Sequence, residues 1–382
     1  MQALSLFDEI RPYRDEEVPG AMAKLAENPT FTEVIQYVFP EMDDDQIRSK
    51  LAAIRSVDDF QHSIAHPTMR QLVNRTSEST AVEGLDLIRP DESYLFISNH
   101  RDIILDSALL NMFLLEAGFP TTQTAIGNNL LSSPLVTHLT RLNKNFVVKR
   151  NTGAREFYEN SMLLSQYISH HISNRLSSIW IAQREGRTKD GLDKTQPGLL
   201  KMLSISCEKP VEQCFKDLRI TPIAVSYEHD PCDVLKIPQL KAISRDEKYE
   251  KAPDEDFRSI LTGLTGEKGR IKLEIGKTLD EELDELNAYS NVNDKLRVLG
   301  ELIDQQIVQL YTLWPTNYMA YDLLEGRESS RAEHEGKSIR AFKAEAKTKL
   351  RKAGLDTEED YRWLLKMYAN PVKNKVLVKS PL

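Results

Sequence analysis

The sequence has little cysteine, no excess of positive charge and no long apolar run. Its 382 residues include three cysteines, Cys207, Cys214 and Cys232, in no C-x-x-C pair, so we expect reduced thiols rather than a disulfide framework or a zinc site. A net charge of -8 argues against a general nucleic-acid binder. No stretch reaches the ~18–20 consecutive apolar residues of a membrane-spanning helix. Residues 1–9 lack a basic segment, so we expect no secretory signal and a cytoplasmic location.

The residues that are present indicate an ordinary folded protein with more than one structural region. Apolar residues make up 40% of the chain and charged residues 28%, as is typical of soluble globular proteins. Residues 1–78 and 291–382 have helical periodicity, and the second of these ends in a basic tail. Between them, in residues 79–290, apolar strands alternate with helices. This alternation predicts an α/β fold with a central, largely parallel sheet covered by helices.

One candidate catalytic group follows the strongest predicted strand, residues 94–98. The chain breaks there at Asn99 and His100 and then enters a helical pattern that contains Asp102 and Asp106. A histidine fixed by a carboxylate can remove a proton from an alcohol at neutral pH. The alternative is that His100 merely fills a turn. Asp102 stands where a helix N-cap is expected, which gives it a structural explanation of its own.

A second cluster follows the predicted strand at residues 145–149. Lys149 and Arg150 form a basic pair at its end, which suits an anion such as a phosphate group. A basic pair in this position is also common on a solvated sheet edge. The pair therefore indicates a binding site only in combination with the clusters at the other strand ends, where open α/β sheets build their sites.

A third cluster follows the predicted strand at residues 178–182. Gly186 permits close approach of the backbone to a ligand, and Arg187 can hold phosphate oxygens in a forked contact. Lys189 adds a point charge, and Glu185 can orient the loop or bind a hydroxyl group. The alternative is a charged surface turn. A fourth cluster, Pro222 to Glu228, has packing as its first explanation because it is mostly apolar.

Taken in order, the four clusters resemble the four sequence blocks of the glycerolipid acyltransferase superfamily. The likeness is greatest to glycerol-3-phosphate and 1-acylglycerol-3-phosphate acyltransferases, and it covers roughly residues 80–280. Each block is weak by itself, but the ordered set is specific. The matching residues are Asn99-His100…Asp106, Phe146 to Arg150, Glu185-Gly186-Arg187, and Pro222 to Glu228.

The resemblance implies transfer of a fatty acyl group in phospholipid biosynthesis. The donor would be acyl-CoA or acyl-carrier protein, and the acceptor glycerol-3-phosphate or 1-acylglycerol-3-phosphate. His100 would deprotonate the acceptor hydroxyl with help from an aspartate. The chemistry needs neither a metal nor a bound cofactor. The implied substrate-binding residues are Lys149, Arg150, Glu185, Gly186, Arg187 and Lys189.

Two departures from the family pattern leave alternatives open. The family spacing places the aspartate at position 105, which is Leu105, so the partner of His100 is either Asp106 or Asp102. The third block is about one residue short, so the phosphate ligand is either Arg187 or Lys189. The altered spacing also admits a catalytically inactive lipid- or acyl-binding protein that keeps the fold. The basic tail, with Lys373, Lys375 and Lys379, adds peripheral membrane contact as a hypothesis.

Overall fold

The protein is built around one seven-stranded sheet with the strand order β1-β7-β6-β2-β5-β3-β4. The structure, a computed structural model, describes residues 6–131, 133–150, 153–326 and 329–379. β6, β2, β5, β3 and β4 all run in the same direction, and β7 is antiparallel to β6. The largely parallel α/β fold is thereby confirmed. The strands are β1 (Ser79–Glu83), β2 (Leu95–Ser98), β3 (Gln123–Gly127), β4 (Asn145–Val148), β5 (Ile179–Ala182), β6 (Ile220–Tyr227) and β7 (Arg270–Ile275).

β2 lies in the middle of the sheet, between β5 and β6. Its residue Leu95 pairs with Ile179 of β5 and with Ile220 of β6. All four residues of β2 are buried, as expected for a strand covered on both faces. Leu95 and Ile97 point into one apolar core, and Phe96 points into the other. The turn that follows β2 therefore starts from the buried middle of the sheet.

Helices cover both faces of the sheet and form two further apolar clusters. One cluster packs helices α1, α2, α3 and α4 against α7. The other packs α11, α14, α15 and α16 together. The helices are α1 (Val18–Ala26), α2 (Pro29–Val38), α3 (Asp44–Ala53), α4 (Val57–Phe60), α5 (His66–Thr76), α6 (Leu105–Glu116), α7 (Pro134–Leu142), α8 (Ala154–Ser173), α9 (Pro197–Ser204), α10 (Val211–Asp217), α11 (Asp233–Ser244), α12 (Glu255–Thr265), α13 (Val292–Leu310), α14 (Pro315–Glu325), α15 (Ile339–Lys352) and α16 (Glu358–Lys379).

The end regions have the predicted helical character, while the domain limits at 78 and 290 stay a prediction. The expected basic tail belongs to α16, so Lys373 and Lys375 lie on a helix. The side chain of Lys379 and residues 380–382 lie outside the described residues. None of the helices in the described part of the chain has both the length and the apolarity to cross a bilayer.

The prediction of three reduced thiols is wrong for two of them. Cys207 and Cys214 form a disulfide across the connection between α9 and α10, with their Cα atoms 6.1 Å apart. The tight turn between the two helices brings the pair together, which spacing in the sequence does not show. Cys232 is a free, buried thiol, and burial raises its pKa to about 12.

Candidate active site

A histidine–aspartate pair forms the centre of the site at the end of β2. His100 Nδ1 lies 2.8 Å from Asp106 Oδ2, and the two side chains are 14% and 1% exposed. The side chain of Asn99 fixes the turn, because its Nδ2 donates to Val225 O at 2.9 Å and its Oδ1 accepts from Val225 N at 2.8 Å. With the Nδ1 proton donated to Asp106, the lone pair of the imidazole lies on Nε2.

Three further donors hold the Asp106 carboxylate. The backbone N–H groups of Arg101 and Asp102 donate to Oδ2 at 2.6 and 3.0 Å, and the Tyr227 hydroxyl donates to Oδ1 at 2.8 Å. These bonds offset the cost of burying a charge. Burial raises the pKa of Tyr227 well above its ordinary value, so this group stays a donor. Sequence reasoning assigned Tyr227 to a packing strand and missed this contact.

Asp102 has a different role in the same turn. Its Oδ1 accepts hydrogen bonds from the N–H groups of Ile104 and Leu105, both at 2.9 Å, at the start of α6. Its Oδ2 is buried and has no partner in the described part of the chain. Burial, and secondarily the charge of Asp106, raise the pKa of Asp102. The structure thus brings Asp106 to His100. Asp102 accepts hydrogen bonds from the turn that leads into α6, but the N-cap residue of α6 is Ile104, so the N-cap position expected for Asp102 is wrong.

The loop that follows β5, residues 183–196, is fastened to this turn. Arg101 forms a forked ion pair with Asp193, with N–O distances of 2.6 and 2.5 Å, and both residues are buried. The N–H of Thr188 donates to His100 O at 2.8 Å. Lys236 donates to Arg101 O at 2.9 Å from α11. The loop predicted to bind phosphate is therefore held against the backbone of His100.

The predicted anion-binding residues of this loop differ in their surroundings. Arg187 Nη1 and Thr188 Oγ1 are buried without a hydrogen-bond partner among the described residues. A buried donor without a partner is costly, and a bound anion would satisfy it. Lys189 donates to Gln239, and burial lowers its pKa to about 8. Gly186 has φ +70°, a conformation that favours glycine.

The residues after β4 divide between two environments. Arg150 Nη1 lies 3.5 Å from Glu185 Oε1, which joins the second and third clusters. A Cβ atom at Gly127 would lie 2.9 Å from Arg150 Nε, so the guanidinium packs directly on that glycine. Lys149 instead forms an ion pair with Glu9 at 2.5 Å, in the N-terminal region. Of the basic pair, Arg150 is the residue that the structure connects to the loop after β5.

The site also has an apolar wall. The His100 ring meets the edge of the Trp180 indole with centroids 5.6 Å apart and an angle of 70°. This contact limits rotation of the imidazole. Within residues 6–131, 133–150, 153–326 and 329–379, no group of three or more His, Cys, Asp or Glu residues is arranged to hold a metal ion. The arrangement provides a base, a carboxylate that fixes it, and cationic groups nearby.

Comparison with known proteins gives one family match. Residues 79–225 match the family model described as Acyltransferase. No curated protein matches the chain significantly. Among solved structures, the 1-acyl-sn-glycerophosphate (LPA) acyltransferase PlsC from Thermotoga maritima is similar, with 16% sequence identity and a TM-score of 0.38, over 74% of this chain and 89% of that one.

Proposed function

We propose that the protein moves a fatty acyl group from acyl-CoA or acyl-carrier protein to a hydroxyl of glycerol-3-phosphate or 1-acylglycerol-3-phosphate. The match of residues 79–225 to the family model described as Acyltransferase supports this proposal. The observation that carries this proposal is the 2.8 Å contact between His100 and Asp106, next to a loop with the unpartnered Arg187. A base beside an anion-binding group fits an acceptor that has both a hydroxyl and a phosphate. The step would belong to phospholipid biosynthesis.

The proposed reaction needs one base and a positioned acceptor. His100 Nε2 takes the proton of the acceptor hydroxyl while Asp106 stabilises the resulting imidazolium. The oxygen attacks the thioester carbonyl, and the C–S bond of the tetrahedral intermediate then breaks. The departing thiolate takes the proton from His100, which returns the site to its first state. Holding the hydroxyl next to His100 supplies much of the acceleration.

The charges of the site support phosphate as the group that positions the acceptor. Arg187 presents a buried donor, and Arg150 and Lys189 contribute the neighbouring positive charges. A guanidinium binds phosphate oxygens through paired, charge-assisted hydrogen bonds. Glu185 forms an ion pair with Arg150. Gly186 has no side chain, so a ligand can approach the backbone of the loop there. Lys149, which pairs with Glu9, is a weaker candidate for this role.

An acceptor screen tests the proposed function. Purified protein is incubated with labelled acyl-CoA or acyl-carrier protein and, separately, with glycerol-3-phosphate and 1-acylglycerol-3-phosphate. Formation of an acyl ester with one of these pairs supports the proposal and identifies the acceptor. Absence of transfer with all pairs would favour the catalytically inactive lipid- or acyl-binding protein.

Replacing Arg187 by alanine should raise the KM for the phosphorylated acceptor by roughly ten- to a hundredfold, because a charge-assisted hydrogen bond is worth about 1.5–3 kcal/mol. The KM for the acyl donor should stay nearly constant. Steady-state kinetics with each substrate varied in turn measure both values. Arg184→Ala is the matched control, since Arg184 is an exposed arginine of the same loop. Equal effects of the two variants would argue against Arg187 as the phosphate ligand.

Acceptor affinity should fall as the pH rises through about 8. Burial lowers the pKa of Lys189 to about 8, so its ammonium is charged below that pH and neutral above it. The attraction for phosphate is therefore present at lower pH and lost at higher pH. The measurement is the KM for the acceptor between pH 6.5 and 9.5. Lys189→Arg, which stays charged, should flatten this dependence, and an unchanged profile would remove Lys189 from the site.

We also propose peripheral membrane contact at the end of α16. Val376 and Leu377 are 53% and 73% exposed there, on the helix that carries the basic residues. Exposed apolar groups beside cations suit an anionic bilayer surface. The protein should co-sediment with phosphatidylglycerol vesicles at low salt, and changing both residues to serine should reduce binding severalfold. Val34→Ser, at a residue 47% exposed on α2, is the control. Failure of the unaltered protein to sediment would reject the contact.

A further inference from the structure

The loop that follows β5 is held on its far side by α16. Asn370 Nδ2 donates to Asp190 O at 2.7 Å, and Asn374 Nδ2 donates to Gly191 O at 3.1 Å. The two asparagines are four residues apart, so they lie on the same face of the helix. Asn370 is 8% exposed. The carbonyl groups they bind come directly after Lys189 in the chain.

A missing backbone hydrogen bond in α16 leaves room for a further contact with the loop. Pro371 lies inside the helix and has no N–H to donate to the carbonyl of Met367, one turn earlier. Gly191 packs on that same carbonyl, because a Cβ atom at position 191 would lie 2.5 Å from Met367 O. Gly191 also has φ +79°, where a side chain would be strained. Helix and loop are therefore shaped to fit each other at Gly191.

The two halves of the loop are held by different parts of the protein. The N–H of Thr188 donates to the catalytic turn at His100 O, 2.8 Å away. After Lys189, the loop is held by α16, through hydrogen bonds to Asp190 O and Gly191 O. The His100–Asp106 pair is fixed separately, by donors from the turn and from β6. A change at α16 should therefore affect the anion-binding loop more than the base.

We propose that α16 positions the anion-binding loop, and that Asn370 and Asn374 are positioning residues for affinity toward a phosphorylated ligand. They do so by fixing the backbone at Asp190 and Gly191, next to Lys189. The identity of the ligand rests on the proposed function, but the placement of the loop does not. Helix α16 therefore contributes to ligand affinity without contacting the ligand.

The test removes the contact from each side in turn. The double variant Asn370→Ala/Asn374→Ala should raise the KM for the phosphorylated acceptor by about tenfold, since two ordinary hydrogen bonds are lost. The single variant Gly191→Ala should have a similar effect, because its Cβ atom would press on Met367 O and displace the loop. The kcat and the KM for the acyl donor should change less than about twofold. Arg362→Ala, at an exposed residue of α16, is the control and should leave all three values unchanged.

A second measurement does not depend on activity. Hydrogen–deuterium exchange of a peptide covering residues 186–193 should become faster in both contact variants and not in the control. Isothermal titration with inorganic phosphate should show the same loss of affinity. If the unaltered protein transfers no acyl group, the proposed function fails while these two measurements still decide the role of α16. Unchanged exchange, or a lower kcat with an unchanged acceptor KM, would overturn it. Asn374→Ala alone, at a half-buried position, serves if the double variant does not fold.

Discussion

Replacing His100 by alanine should lower kcat by roughly 10²–10⁴-fold and leave the fold intact. Without the imidazole, no group takes the proton from the acceptor hydroxyl in the proposed reaction. The Asp106 carboxylate would keep its bonds from Arg101 N, Asp102 N and the Tyr227 hydroxyl, so the substitution leaves no buried charge without partners. Steady-state kinetics give kcat, and urea unfolding gives the free energy of unfolding.

The chain offers a matched control for this substitution. His66 forms a similar pair with Glu116, with an N–O distance of 2.9 Å, on the surface between α5 and α6. His66→Ala removes a histidine–carboxylate contact of the same kind and should leave kcat unchanged. Retention of normal turnover by His100→Ala would show that the base is another residue. A comparable loss in both variants would point to a structural effect.

Exchanging each aspartate for asparagine should separate the two carboxylates sharply. Asp106→Asn removes the charge that stabilises the imidazolium and places an amide group among four donors, so kcat should fall by roughly 10³–10⁴-fold. Asp102→Asn should cost less than about tenfold. Its Oδ1 can keep both bonds, from Ile104 N and Leu105 N, and burial raises the pKa of Asp102, so loss of its charge should cost little.

The comparison must be made per folded molecule, since Asp106→Asn also weakens the turn. Activity is therefore normalised to the fraction folded, measured by circular dichroism at the assay temperature. The expected ranking is a far greater loss for Asp106→Asn than for Asp102→Asn. The reverse ranking would assign the catalytic role to Asp102 and make the contact of Asp106 with His100 a structural one.

Much of the sheet was predictable because its strands are short apolar runs separated by helices. β2 and β6 lie close to where the apolar pattern places them, and their ends carry the groups that the motif blocks indicated. Residues 79–225, which contain most of the four sequence blocks, match the family model described as Acyltransferase. The roles of the individual site residues stay predictions. What the structure adds is their placement relative to one another.

Other features could not be predicted from the sequence, for identifiable physical reasons. The choice between Asp102 and Asp106 depends on where two backbone N–H groups point in a turn, which no residue pattern encodes. Tyr227 looks like any aromatic residue of a buried strand until β6 is placed beside β2. Lys149 meets Glu9 only because the N-terminal region folds back on β4. The contacts of Tyr227 and Lys149 both join residues that are distant in sequence.

The same distances have a consequence for the order of folding. Asn99 and Val225 are 126 positions apart, Asp106 and Tyr227 are 121 apart, and Arg101 and Asp193 are 92 apart. Closing such long loops costs chain entropy before the contacts repay it, which slows folding. A nascent chain that has not yet added β6 to the sheet cannot hold the Asp106 carboxylate as the complete protein does. Recovery of activity on refolding should therefore be among the last signals to appear, after most of the helical structure has formed.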